Sequence, residues 1–323
     1  MLIGAAILVW WLTTGRADAD SSMSAPANAA TSTATPGAIT GGDAPELSGI
    51  LPAETSMGVV DLAVRDLGAM TGFYRDVIGL DVIEQSDAVV ILGREVPLIR
   101  LETTDAGADD PRSAGLYHSA ILFADAPSLA QVLLRIAQQA PQSYQGSADH
   151  AVSLAFYIGD PEGNSIELYL DRPREEWVWQ DGHVVMGSAP LDPNAFINEH
   201  AGGTASDAVE MGHVHLRVGD LETARTFYSE VLGFDVTAES DGALFYSAGG
   251  YHHHLATNTW QSAGAGARGV TAGLRGITVA VPAASDLDAI AMRLTDAGVS
   301  HESLERTVVT ADPWGNTVRF VAG

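Results

Sequence analysis

The chain repeats itself. Residues 57–82 (MGVVDLAVRDLGAMTGFYRDVIGLDV) align without a gap on residues 211–236 (MGHVHLRVGDLETARTFYSEVLGFDV), with about half of the positions identical. A second pair, DPEGNSIELY (160–169) and DPWGNTVRFV (312–321), ends two other units alike. Such self-similarity confines the fold to copies of one supersecondary unit. Each copy reads as a strand, a turn at Asp-Leu, an amphipathic helix stopping at Gly79 or Gly233, and then further strands. The units span 57–104, 114–171, 210–262 and 273–322, each fitting strand–helix followed by three strands.

Composition narrows the chemistry. The formal charge of −25 argues against nucleic acid or an anionic membrane as partner, since both require a basic face. All sixteen cations are arginine and there is no cysteine. Disulfides, thiolate metal sites and cysteine nucleophiles are therefore excluded, and any metal must be held by His, Asp, Glu or water.

The N-terminus stands apart from the repeats. Leu2 to Thr14 is apolar but short for a bilayer span, and Ala17-Asp18-Ala19 has the small-x-small form of a signal cleavage site. No Lys or Arg precedes the apolar run, so a start codon assigned too early, with Met23 as initiator, is the competing reading. Residues 1–56 are taken together as a signal-like segment and a disordered lead-in, its second part rich in Ala, Ser, Thr, Pro and Gly.

The densest motif is HAVSLAFYIGDPEGNSIE, from His150 to Glu167. Strand alternation puts Ser165, Glu167 and Tyr169 on one face, with Ile166, Leu168 and Leu170 on the other. A lone carboxylate on an enclosed face is costly unless it holds a cation or a proton. The spacing H-x5-F-Y-x2-D-P-x-G-x3-E resembles the motif of extradiol, ring-cleaving catechol dioxygenases of the vicinal-oxygen-chelate superfamily, which also contains glyoxalases and bleomycin-resistance proteins. The resemblance covers nearly everything from residue 57 onward, including a linker-like RPREEWVWQDGHVVMG (172–187) in which Trp177 and Trp179 read as packing residues. It implies an α+β fold of four βαβββ modules forming two cup-shaped mixed sheets. By sequence order these fall into one domain at 57–171 (modules one and two), a linker at 172–209 and a second domain at 210–323.

In that superfamily the metal ligands come from first strands and a last strand of the modules. The matching residues here are His118, Glu167 and His213. Modules one and four lack them: Val59 stands where module three has His213, and Gly276 and Arg319 fill the module-four positions. Asp61, on the strand face of Val59, is an unconventional candidate that aligns with His215. Pairing modules in chain order would leave no cup with three ligands. Pairing two with three, and one with four, assembles all three in one cup. Two histidines and a carboxylate with open positions suit a non-haem Fe(II) oxygenase, and Mn(II) favours the same set.

The resemblance also supplies catalytic candidates. His253, in the run Tyr251-His252-His253-His254-Leu255, matches the family's acid–base histidine. Read as a strand, this run points only one side into the cup, so His252 and His254 are expected to be solvent-facing or structural. Tyr157 matches a tyrosine that hydrogen-bonds metal-bound oxygen, and His150 a substrate contact; a core aromatic is the plain alternative for Tyr157. His183, His200 and His301 receive no function.

The expected function is an Fe(II)-dependent extradiol dioxygenase acting on a small aromatic diol and dioxygen; related proteins commonly associate into homo-oligomers, and the sequence leaves the oligomeric state open. A glyoxalase-like metal-dependent isomerase or lyase, and a metal-free drug-binding module, use the same fold and stand as alternatives. Labile Fe(II) favours a cytoplasmic protein over one exported or held at a membrane by the apolar segment.

Overall fold

The computed structural model describes residues 39–40 and 48–323. The strands of module one are Ser56–Val64, Asp81–Gln85, Val89–Gly93 and Pro97–Thr103, and those of module two are Gly115–Phe123, Tyr144–Asp149, Ser153–Gly159 and Ser165–Asp171. Module three contributes Val209–Arg217, Asp235–Ser240, Ala243–Ser247 and Leu255–Asn258, and module four Gly273–Val281, His301–Leu304, Thr307–Ala311 and Thr317–Ala322. Each module carries its helix between its first and second strands, as the repeat requires.

These strands form two large mixed sheets, and modules pair across the chain. The first strands of modules two and three lie antiparallel at the centre of one sheet, with the fourth, third and second strands of each module following outward. Modules four and one build the other sheet in the same order. The distribution of candidate ligands demanded this pairing. Each half of the sequence thus contributes one module to each sheet.

Local chemistry explains why the elements begin and end where they do. Asp66, Asp125 and Asp220 each accept a hydrogen bond of 2.8 Å from the backbone N–H three residues on, capping the helices of modules one, two and three. In module four Ala283 stands at the cap, and the Asp286 carboxylate reaches back to its N–H at 2.9 Å. In module one, helix Leu67–Gly72 runs into a π-helical turn, Phe73–Ile78, which ends at Gly79 in the left-handed region (φ 89°).

The two motifs that define the repeat touch one another. Tyr74 donates its hydroxyl to Asp160 at 3.3 Å, and Tyr228 donates to Asp312 at 2.9 Å. Each Asp also takes the backbone N–H groups two and four residues on and the side-chain amide of its own DPxGN asparagine, Asn164 or Asn316. The DPxGN segment is therefore a self-satisfied turn fastened to the helix of another module. It holds the strand bearing Glu167 in register.

Two sequence expectations need correction. Within the stretch read as a disordered lead-in, residues 48–55 pack onto the body of the protein: Leu51 and Thr55 are buried, and Ser48 donates its backbone N–H to Asp235 at 2.9 Å. Residues 39–40 pair with Val178 and Trp179 of the linker. Few apolar residues suffice here because module three offers a ready surface. The second correction concerns the histidine run, where the strand begins only at Leu255. Residues 251–254 form an irregular turn to which alternation does not apply. Trp177 and Trp179 are buried packing residues, clustered with Val152, Val184, Ala238 and Tyr251. No helix among the described residues is long and apolar enough to cross a membrane, and Leu2 to Thr14 lie outside those residues.

Candidate metal centre

Three neighbouring strands of the two–three sheet create the centre. Ala120 pairs with His213 on one side and with Glu167 on the other, while His118 lies two residues before it on the same face. The methyl of Ala120 leaves open the space into which the larger side chains converge. His118 Nε2 and Glu167 Oε2 are 3.1 Å apart, His213 Nε2 and Glu167 Oε2 are 3.2 Å apart, and the two Nε2 atoms are 3.3 Å apart. All three residues are at most 5% exposed.

This donor set fits a metal ion. Lone-pair atoms meeting this closely in a buried site are favourable only around a cation or shared protons. Donors held about 2.1 Å from one ion sit roughly 3 Å from each other when they are cis, which matches the observed edges. Three protein donors leave further positions for exogenous ligands. The protonation states agree with this role. Burial holds the His213 imidazole down at about 4, against the pull of Glu167, so it is neutral at pH 7 with a lone pair to offer. Burial alone would raise the Glu167 carboxyl, but His213 and His118 outweigh it and keep the group well below the usual carboxylate range.

The catalytic candidates flank this cluster. On the module-two side the Tyr157 ring lies 5.6 Å from that of His118, and His150 Nε2 is 2.8 Å from the Tyr157 hydroxyl. His150 Nδ1 donates to the Gly187 carbonyl at 2.6 Å, and Ala151 beside it adopts φ 68°, a left-handed conformation uncommon for alanine. On the module-three side, His253 is buried with its ring centroid 4.1 Å from that of His213. His252 and His254 are buried too. His254 Nδ1 meets Ser247 Oγ at 3.1 Å, and burial pushes its imidazole down to about 3.

Other residues of the site receive no role from the sequence, although alternation sets His215 on the face of His213 and Tyr169 on that of Glu167. His215 is buried beside His118, with ring centroids 5.0 Å apart, and its Nε2 contacts Asn258 Nδ2 at 3.0 Å. Asp171 contacts His252 Nε2 at 2.9 Å. The alternation that picked out Glu167 continues through Tyr169 to Asp171, so the signal was present. Tyr169 packs directly over Gly212, next to His213, and its hydroxyl meets that of Tyr251 at 2.7 Å.

In the one–four sheet Asp61 is not near this cluster but pairs with Arg319 at 2.9 Å. Among the described residues, His118, Glu167 and His213 form the one group of His, Asp and Glu donors close enough to share an ion.

Fold and site together define a duplicated βαβββ protein with a donor cluster that could hold a metal ion, and comparison with known proteins identifies its class. Residues 56–168 and 210–320 match the model of the Glyoxalase/Bleomycin resistance protein/Dioxygenase superfamily, and the chain belongs to it. Within that class, the chain is 39% identical over 272 residues to catechol-2,3-dioxygenase of Bacillus subtilis, covering 80% of this chain and 94% of the relative. It is 29% identical over 131 residues to biphenyl-2,3-diol 1,2-dioxygenase 3 of Rhodococcus globerulus, covering 38% of this chain and 67% of that one. Solved structures share the fold: a Bacillus subtilis protein described as a dioxygenase superposes with a TM-score of 0.57 at 11% identity, covering 83% of this chain and 84% of that one. Glyoxalase I of Zea mays does so with a TM-score of 0.50 at 15% identity, covering 83% and 92%. The sequence similarity supports an extradiol dioxygenase.

Proposed function

We propose that the protein is an Fe(II)-dependent extradiol dioxygenase that opens the ring of a small catechol-type diol with dioxygen. The observation that carries this reading is the convergence of two imidazoles and one carboxylate, from two modules, in a buried site with catalytic candidates on both sides. His118, Glu167 and His213 would hold the ion. When bound, it would acidify the diol and bring diol and dioxygen together.

The remaining roles fall to this chain's own groups. His253 takes a proton from a diol hydroxyl and later returns it; burial and the neighbouring His213 hold its imidazole well below its ordinary value, so it rests as a neutral base. Tyr157, coupled to His150, stabilises negative charge that develops on substrate oxygen. Tyr117, Trp260, Phe245 and His215 stand ring against ring beside the centre, an aromatic wall suited to a flat substrate.

The test is anaerobic reconstitution of the full chain with Fe(II), followed by catechol in air. Oxygen uptake with appearance of the yellow ring-cleavage product is expected, and both should vanish in His213→Ala. One tightly bound metal per chain with no oxygen uptake would refute the dioxygenase reading. Activity restored by Mn(II) but not by Fe(II) would refute the choice of metal.

A further inference from the structure

His253 does not stand alone. Its Nδ1 is 2.7 Å from Nδ1 of His252, and His252 Nε2 is 2.9 Å from Asp171 Oδ1. The middle member is locked in place. His252 is fully buried, its ring packed 4.1 Å from that of Tyr251 and 5.2 Å from Trp177, and its carbonyl accepts a 2.6 Å bond from Thr237 Oγ1. Asp171 belongs to the last strand of module two and His252 to module three, so the contact crosses the seam between the modules.

Proton positions along this chain follow from what each atom can do. A carboxylate only accepts, so His252 Nε2 carries a hydrogen and donates it to Asp171. With one hydrogen on each ring, the other nitrogen is an acceptor, so His252 Nδ1 receives a hydrogen from His253 Nδ1. The lone pair of His253 is left on Nε2, which has no hydrogen-bond partner among the described residues. We infer that Asp171, acting through His252, is a positioning residue that fixes His253 as the tautomer with its proton on Nδ1 and its lone pair on Nε2.

The use of that lone pair rests on the function proposed above. The diol O–H bond breaks, its proton passes to His253 Nε2, and the electron pair stays on oxygen. The imidazolium so formed keeps its Nδ1–H bond to His252. A base oriented by a second group, itself held by a carboxylate, is a recurring way of keeping one nitrogen free for the reaction.

Ring-nitrogen NMR of the full-length protein, 15N-labelled in histidine and loaded with Zn(II) as a diamagnetic probe, reads the tautomers without any turnover. The expected pattern is His253 protonated on Nδ1 and His252 on Nε2, with the His253 signal shifting in Asp171→Asn and returning in Asp171→Glu. His253 protonated on Nε2 in the wild type would overturn the inference, and this measurement needs no variant to fold. A wild-type pattern unchanged in Asp171→Asn would overturn it equally. In the Fe(II)-loaded enzyme, Asp171→Asn should lower kcat by about 100-fold, the lower range for losing an acid–base group, with KM and metal content little changed. The expected tautomers in a protein that cleaves no catechol would support the positioning of His253 while removing the dioxygenase reading.

Discussion

His118 and His213 are 95 residues apart in the chain, yet their Nε2 atoms lie 3.3 Å from each other across the seam of two modules. Neither module alone presents more than part of the donor set. The His118→Ala and His213→Ala variants should therefore each weaken metal binding by more than the roughly 10–100-fold that loss of an outer partner costs. Equilibrium dialysis against Fe(II) or Zn(II) tests this, with one ion per wild-type chain. Stoichiometric tight binding by either variant would show that the cluster is not the site.

Gly212 makes room for Tyr169. A Cβ at this position would fall 1.7 Å from the Tyr169 hydroxyl oxygen and 2.6 Å from the ring carbon that carries it. Gly212→Ala must displace a fully buried ring that touches His213 and binds Tyr251. Overpacking of this kind destabilises by about 1–3 kcal/mol, and the displaced ring should also lower metal affinity. Urea denaturation and a metal titration on one preparation measure both effects.

The tyrosine–aspartate fastening occurs twice, with different lengths. Removing one hydroxyl from a buried carboxylate costs about 1–3 kcal/mol. Tyr228→Phe breaks the 2.9 Å bond and Tyr74→Phe the 3.3 Å bond, so the module-three variant should lose more stability. Equal losses would mean that the bond lengths do not report strength here.

Asp160 predicts a pH effect of defined sign. Burial raises its carboxyl to about 6, against the hydrogen bonds from Asn164, Glu162 and Tyr74 that lower it. The folded state thus holds this proton more tightly than the unfolded chain, whose carboxyl titrates near 3.8. This contribution is fully present below pH ~4 and is lost as pH rises to about 6, amounting to up to ~3 kcal/mol. Asp160→Asn removes the dependence at the cost of the Asn164 side-chain bond. Denaturation midpoints of wild type minus variant should fall between pH 4 and 6 and then level; a flat difference would reject the assignment.

Much of the site was legible in the sequence because it rests on short-range regularities. Alternation placed Glu167 and Tyr169 on one face, and the repeat aligned Val59 with His213, exposing which modules lack ligands. The structure brings His118, Glu167 and His213 together and sets Tyr157, His150 and His253 around them. Sequence gives His252 no catalytic part, and its partnership with Asp171 stays hidden because it joins different modules through a turn with no periodicity.

Sequence by itself determined the module, its caps, its DPxGN turn and the kinds of donor available, since each depends on residues a few positions apart. Module pairing left no mark in the strand patterns. A first strand bonds as readily to one neighbouring module as to another, and only counting ligands favoured two with three. The tertiary structure decided what depends on side chains meeting across that seam: the 3.1–3.3 Å donor cluster, the space kept by Ala120 and Gly212, and the Asp171–His252–His253 chain. Those contacts form only when two distant surfaces pack, and no local propensity encodes them.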